Sequence, residues 1–527
     1  MISLAQFTVS CDNSIIALAA RLVAENYGGG IADIQLINMA YGLVAGIFMI
    51  TGSFIGSRIG WRRNFAMGCG LAALGELVAA FAPSLAVFIA LGRGLVGVGA
   101  SFVISSVLGS IPVMYAGKRR EFAFGCIAAA VGASALAPLL LGMVLDGCGY
   151  QVLLLGLAAL FVVILCFSRL LPDRAESGSR AFESFDVPGF VLCSLGLGFI
   201  LFGFASISTC GFVYASPQSP VSLWGFSPSI PCVTLGTALM AAAARCEWAR
   251  ESRGLRVLLP RSFWMTRAAR RSLFSVGFGF FAVGAVAAVV VPFCQIALNA
   301  SGTETGLASA MAGAVMAATG LVAPRIKSMD SPRDAMRFGY LMSAIGFAVI
   351  SIGFGGGRLN GWIYLGLAAV GLGVGMVNAR ANAAVVLAVG ERDAAQSGGI
   401  QGTVRDLAQA LAAALLGSVL VFSLVLLGRF DVGRAPALIG QVGFAGDPAI
   451  VRAVDQAGLE GLEREEAIDG YRRARGHAGQ IVMGAMSAFS LASLCLTGGL
   501  PGVVHASEDA VDASDRCGGT QDGARQE

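Results

Sequence analysis

Residues 85–110 read LAVFIALGRGLVGVGASFVISSVLGS. A helix crossing a bilayer needs about 20 mostly apolar residues, and this run supplies them. It carries one charge, Arg93, well inside the run. Lipid offers the backbone no hydrogen-bond partners, so such a run must be helical, and it is far too long for a barrel strand. A charged side chain at that depth costs about 2.5–3.5 kcal/mol on insertion scales and by default marks a functional group with a partner. Two things then matter: how many such runs the chain holds, and what meets Arg93.

Fourteen runs of this kind are present, at roughly 3–24, 33–56, 64–82, 85–110, 122–145, 150–171, 187–208, 226–245, 273–296, 304–326, 335–354, 361–388, 398–427 and 479–500. The composition agrees. The 527 residues are 56% hydrophobic and 13% charged, with a mean hydropathy of +0.76. Soluble chains carry roughly 25% charged residues, so an ordinary soluble domain and a disordered chain are both excluded. The 72 glycines suit close helix packing in lipid. His477 and His505 are the only histidines, which excludes a multi-His metal centre. The two lysines, Lys118 and Lys327, sit in GKRR and RIKS, so no P-loop is present to drive a nucleotide-powered pump. A net charge of +4 gives no reason to expect a nucleic-acid partner.

The twelve cysteines are scattered singly without a CxxC pair and read as small packing residues. Cys210 and Cys232 flank one loop, and no disulfide is expected there. No basic n-region follows Met1, so the first apolar stretch reads as a retained helix.

Basic residues fall in loops after even-numbered runs: Arg58, Arg62 and Arg63; Lys118 to Arg120; Arg169, Arg174 and Arg180; Arg245 to Arg271; Arg325 to Arg337; Arg392. Short loops after odd-numbered runs carry almost none. The positive-inside rule puts the basic loops and both termini in the cytoplasm. Residues 429–478 read as a long polar outer loop, within which VRAVDQAGLEGLEREEAIDGYRRAR forms a solvated or interfacial helix. The tail 501–527 reads as a disordered cytoplasmic segment. Runs 1–6 and 9–14 form two halves, with 7–8 inserted. Val96-Gly97-Val98-Gly99 is echoed by Leu372-Gly373-Val374-Gly375, and the basic loop Arg58–Arg63 by Arg325–Lys327. This is the pattern of a transporter made of two related bundles. The expected division is 1–171, an N-terminal six-helix bundle; 172–260, a linker and two inserted helices; and 261–500, a C-terminal six-helix bundle.

Two carboxylates are candidates for the partner of Arg93. Asp12 lies about nine residues into the first run, or about 13 Å deep, and Glu76 about twelve residues into the third, or about 18 Å. Arg93 enters from the opposite side by about 12 Å, which leaves it about 18 Å from the basic side of a core about 30 Å thick. All three share a layer near the midplane. Burial and a guanidinium act on a carboxylate in opposite senses, and their balance can place a proton-binding group near neutral pH. Arginine does not release its proton, so the carboxylates titrate. The alternative is a permanent ion pair that fixes helix packing.

Other polar residues stay open between cavity and packing roles. Asn378 and Asn382, four apart, share one helix face. Gln35, Asn38 and Tyr41 line a pocket or pack; Gln295 and Asn299 end the ninth run. Arg380 lies near the cytoplasmic end and is expected to snorkel. Ser301-Gly302-Thr303-Glu304 reads as a capping box. Phe280, Phe281 and Phe293 read as core or lipid-facing rather than a drug-binding stack. No nucleophile–base pair lies in the apolar runs, which argues against a membrane enzyme, and two related halves with a carboxylate–Arg layer favour a carrier over a channel.

These residues resemble the major facilitator superfamily, and within it the fourteen-helix drug:proton antiporters of the EmrB/QacA type. Cys11-Asp12-Asn13-Ser14-Ile15-Ile16-Ala17-Leu18-Ala19 is similar to that family's L-D-x-T-[IV]-V-N-V-A-L-P, with Ser14 for Thr and with Ala17 and Arg21 for the Asn and Pro. Arg93-Gly94-Leu95-Val96-Gly97 resembles R-x-x-Q-G with Val96 for Gln. Phe185-Asp186-Val187-Pro188-Gly189 resembles the F-D-x-x-G that opens the inserted pair, and Gln401 to Asp406, with Arg405, resembles the start of the thirteenth helix. Gly56-Ser57-Arg58-Ile59-Gly60-Trp61-Arg62-Arg63 keeps the gating loop but has Ser57 at its acidic position. The antiporter signature survives as Ala137-Pro138 and Gly142.

The resemblance implies an all-α major facilitator fold of two six-helix bundles plus two inserted helices. It implies a transporter rather than an enzyme, without cofactor or metal, driven by the proton gradient. Such a protein, a multi-pass monomer of the bacterial inner membrane, exports amphipathic and mainly cationic drugs by alternating access, the cation competing with the proton for the carboxylates. A narrow metabolite or siderophore-like transporter is the other reading.

Overall fold

The computed structural model describes residues 1–28, 31–137, 139, 148–171, 187–211, 213–214, 224–253, 257–326, 331–394, 396–431, 444 and 446–499. Among the described residues fourteen long helices follow one another. They are α1 (Ile2–Asn26), α2 (Ile31–Ile59), α3 (Trp61–Ala80), α4 (Leu85–Met114), α5 (Gly117–Ser134), α6 (Tyr150–Phe167), α7 (Val187–Cys210), α8 (Ser229–Glu251), α9 (Arg267–Ile296), α10 (Gly302–Arg325), α11 (Pro332–Phe354), α12 (Gly361–Val389), α13 (Ser397–Asp431) and α14 (Gly461–Ser493). Ten of them are long and apolar enough to cross a membrane on their own, α1, α3, α5 and α7 being the others. Charge explains part of the difference: α3 carries Arg62, Arg63 and Glu76, and α5 opens with Lys118 to Glu121.

Helices α1 to α6 pack on one another, and α9 to α14 do the same. Helices α7 and α8 pair closely, and α7 lies against α2 and α13. The small residues set these approaches. A Cβ on Gly68 would fall 2.8 Å from the Gly99 carbonyl, and one on Gly99 would fall 2.5 Å from the Ala72 nitrogen. Gly75 meets Val96 and Gly92, and Gly97 meets the backbone of Tyr41 on α2. The second half repeats the pattern. Gly339 meets Gly373 and Val377, Gly346 meets Gly366 and Val370, and Gly371 meets Ala312 on α10. The α3–α4 and α11–α12 pairs are thus the same packing unit used twice. The sequence echo was out of register by two residues: the packing equates Gly97 and Gly99 with Gly371 and Gly373, not with Gly373 and Gly375.

The halves touch at the end that carries the basic loops. Gly399 lies against Met49 and Ser53 of α2, and Gly398 against Ser105 and Gly109 of α4. Along the other seam α5 crosses α10, with Gly125 on the Gly320 carbonyl and Gly132 on that of Gly313.

The last helix departs from expectation. The polar stretch after 460 is not a separate solvated helix; it forms the first turns of α14, which begins at Gly461. The reason is a hidden apolar face: Ala467, Ile468, Tyr471, Ala474 and Ala478 recur at helical spacing and are buried. They pack on Ile450 and Val454 of a short helix, Asp447–Gln456. Arg475, 3% exposed, donates to the Ala297 carbonyl and to Asp447, each at 2.9 Å. Arg472 donates to the other oxygen of Asp447 at 2.7 Å. Burial alone raises the Asp447 carboxyl, and these guanidinium hydrogen bonds outweigh it, so the group sits below its ordinary value. The tail from 501 and the linker 172–186 lie outside the described residues.

A valine at Gly99 meets backbone on two sides with nothing flexible to yield. Gly99→Val is expected to destabilise the protein by about 1–3 kcal/mol. Gly94→Ala, which meets nothing within 4 Å, is expected to leave thermal unfolding in detergent unchanged.

Candidate functional site

Helices α1, α3 and α4 bring Asp12, Glu76 and Arg93 together. The α3–α4 contact does much of this, because Gly75 and Gly92 each stand beside a charged residue and let the two backbones close. Helix α4 also holds a π turn, Phe88–Arg93, which ends at the arginine. π turns are rare and favour functional positions, since the extra residue re-aims the side chain. All three charged side chains are 0% exposed. Arg93 donates to both oxygens of Asp12, Nη1 to Oδ1 at 2.9 Å and Nη2 to Oδ2 at 3.0 Å. This is the strong two-pronged geometry of a guanidinium on a carboxylate. The same Nη1 reaches Glu76 Oε1 at 3.4 Å. Glu76 Oε2 and Arg93 Nε find no hydrogen-bond partner among the described residues. The guanidinium also lies 5.2 Å from the ring centre of Tyr41 on α2.

With both carboxylates ionised, two of them facing one guanidinium leave one negative charge in excess. Burial makes that excess costly, and one bound proton or one bound cation removes it.

A second polar group lies in the other half. Arg405 on α13 stands 4.1 Å over the ring of Phe280 on α9. Asn378 on α12 is 1% exposed, and among the described residues neither atom of its amide finds a hydrogen-bond partner; the same holds for Gln401 on α13, 0% exposed. Asn382 donates to the Asn378 carbonyl at 2.8 Å, leaving its own oxygen unpaired. Buried amides without partners are rare in settled cores, and ligand sites place a few such polar groups among apolar walls.

The remaining candidates separate. The side chains of Gln35 and Asn38, and Pro138 and Gly142, lie outside the described residues. Gln295 is exposed at the end of α9, and Asn299 adopts φ +52° in the turn after it. Glu304 completes the capping box with Ser301. Ser57 hydrogen-bonds within its own helix, to the Phe54 carbonyl at 2.9 Å, and Arg58 lies 4.2 Å over the Phe54 ring. Gly60 takes φ +97° between α2 and α3, a turn that favours glycine. Gly97 seats α4 on α2. Arg62 and Arg63 face a hollow against α6.

Arg380 does not snorkel. It is 1% exposed and forms an ion pair with Glu121 of α5, across the seam between the halves, while Nη2 donates to the Ala323 carbonyl at 3.2 Å. Glu121 was missed because it sits in the basic segment GKRREFAF and reads there as one charge among several. Asn64 was missed too. It is 0% exposed, and its amide nitrogen reaches the carbonyls of Gly52 and Phe102 and the Ser106 hydroxyl at 2.8–3.2 Å, joining α2, α3 and α4.

The sequence profile of the Major Facilitator Superfamily matches residues 2–413, and the chain belongs to that superfamily. It is therefore a multi-pass membrane transporter. Over 425 residues it is 26% identical to a probable actinorhodin transporter of Streptomyces coelicolor, covering 77% of this chain and 69% of the relative. It is 26% identical over 419 residues to a tetracenomycin C resistance and export protein of Streptomyces glaucescens, covering 78% and 73%. In fold it resembles the human organic anion transporter MFSD10 (TETRAN), with a TM-score of 0.56 and 16% identity over 94% of this chain and 98% of that one.

The geometry ranks the two carboxylates. Asp12→Ala removes both short bonds of the buried guanidinium and leaves it the 3.4 Å bond to Glu76; it is expected to cost about 1.5–3 kcal/mol. Glu76→Gln removes one longer bond and is expected to cost clearly less. Thermal unfolding of the purified variants measures the order, and a larger loss for Glu76→Gln would reverse it.

Proposed function

We propose that this protein is a fourteen-helix drug:proton antiporter that exports small amphipathic compounds, cations foremost, across a bacterial inner membrane. The observation that carries this reading is the buried group of two carboxylates sharing one guanidinium. With Asp12 and Glu76 both ionised the group holds one excess negative charge, and a proton or a cationic substrate neutralises it. The two therefore compete, which is the linkage an antiporter needs. A proton on Asp12 breaks the two-pronged hold on Arg93 and frees the guanidinium towards Glu76 and Tyr41. Coupling exists because substrate and proton favour different states of the carrier.

In this reading residues 1–171 and 261–500 are the two bundles and 172–260 the inserted pair, both termini are cytoplasmic, and the protein works as a monomer without cofactor. The basic end is the cytoplasmic one. Its closure by α2, α4 and α13 and by the Glu121–Arg380 pair must then open once per cycle. Tyr41, Asn378, Asn382, Gln401 and Arg405 form the polar lining offered to the substrate.

A narrower specificity is the second reading. It is favoured by relatives that are named for single compounds, actinorhodin and tetracenomycin C.

Everted membrane vesicles with an imposed pH gradient and a substrate panel test both. Accumulation of several unrelated lipophilic cations supports the broad reading; accumulation of one compound class supports the narrow one. Asp12→Asn is expected to abolish gradient-driven uptake into these vesicles while the protein remains in the membrane. Unchanged uptake by that variant removes the coupling. Glu121→Gln removes a charge from the seam, and cysteine labelling of the cytoplasmic seam is expected to rise, with no change if the pair does not hold it shut.

A further inference from the structure

We propose that a hollow between α3 and α6 at the basic end is a binding site for the phosphate headgroup of an anionic phospholipid. The hollow has a volume of about 470 Å³. Arg62 and Arg63 from the first turn of α3 and Arg169 just beyond α6 line it, together with Ala66, Leu165 and Cys166. Three guanidiniums around one space repel one another, and surface arginines usually relieve this with a carboxylate. Among the described residues none of these three has an ion pair or a hydrogen bond, although arginines elsewhere on the surface, such as Arg464 and Arg472, do. The positive end of the α3 dipole adds to the same field, and no side chain caps that helix.

The walls choose the kind of anion. Arg63 shares its helix face with Met67, Leu74 and Leu77, and Arg169 shares one with Val162 and Cys166; every one of these is exposed. Arg63 thus stands at the head of an apolar stripe that runs along α3, and Arg169 follows the end of another on α6. A small inorganic anion uses the arginines and leaves the stripes bare. A phospholipid uses both: its phosphate accepts from the guanidiniums, and its acyl chains follow the exposed side chains. Basic pockets between membrane helices at the cytoplasmic face bind anionic headgroups by this combination. None of the residues that line the hollow belongs to the Asp12 group or to the seam contacts named above.

Native mass spectrometry of the full-length protein, released from detergent with added phosphatidylglycerol, phosphatidylcholine or inorganic phosphate, tests the assignment. Phosphatidylglycerol adducts are expected to survive where phosphatidylcholine adducts do not. Arg169→Ala is expected to lower phosphatidylglycerol occupancy about fivefold, and the Arg63→Ala/Arg169→Ala pair further. Arg169 is exposed and bonds to nothing described, so its loss leaves the fold intact. Arg119→Ala, at an exposed arginine of the same end outside the hollow, is expected to leave occupancy unchanged. Equal retention of phosphatidylcholine, an equal loss in Arg119→Ala, or displacement of the lipid by inorganic phosphate would each overturn the proposal, the last by showing that the arginines serve a free phosphate.

Discussion

The arrangement depends on a single buried guanidinium. Arg93 lies inside the protein at the depth of the membrane core, where a lone charge is not tolerated, and it is kept there by two carboxylates from two other helices. Each neighbouring feature serves that placement. The π turn aims the arginine, the glycines beside Glu76 and Arg93 let α3 and α4 close, and the ring of Tyr41 shields one side of the guanidinium. With both carboxylates ionised the three groups do not sum to zero, and the proposed exchange of proton and cation rests on that imbalance.

The way the halves meet gives this site a mechanical context. Several contacts across the seam set backbone against glycine, at Gly398, Gly399, Gly125 and Gly132. Such contacts hold by shape and close approach. One ion pair, Glu121 with Arg380, adds a directional bond to them. A seam of this kind separates and re-forms with little internal rearrangement, as the proposed alternating cycle requires.

Much of this was legible in the sequence. Hydrocarbon permits few solutions, so long apolar runs read directly as helices, and Asp12, Glu76 and Arg93 stood out because each breaks such a run. Counting residues at a fixed rise placed all three in one layer, and the structure brings them into contact. The misses share a physical cause. Arg380 and Glu121 lie near helix ends, where charge is cheap and sequence position does not tell a solvated side chain from one that reaches across a seam. Asn64 is uncharged and one turn inside its helix, a place where amides are common. The polar start of α14 concealed a buried face because its apolar residues are small or singly spaced among many charges. The repeat was seen but misregistered by two residues, since Gly-x-Gly occurs twice in α12, and only the partner helices decide which copy corresponds.

The doubled α3–α4 and α11–α12 unit has an asymmetric content. Where α3 carries Glu76, next to Gly75, α11 carries Phe347, next to Gly346; where α4 carries Arg93, next to Gly92, α12 carries Leu367, next to Gly366. Both replacements are buried in an apolar cluster. The two copies thus share the joinery, and only one carries the electrostatics. In the proposed cycle, the ion that the charged copy binds would therefore act on the first half, with the seam as its connection to the second.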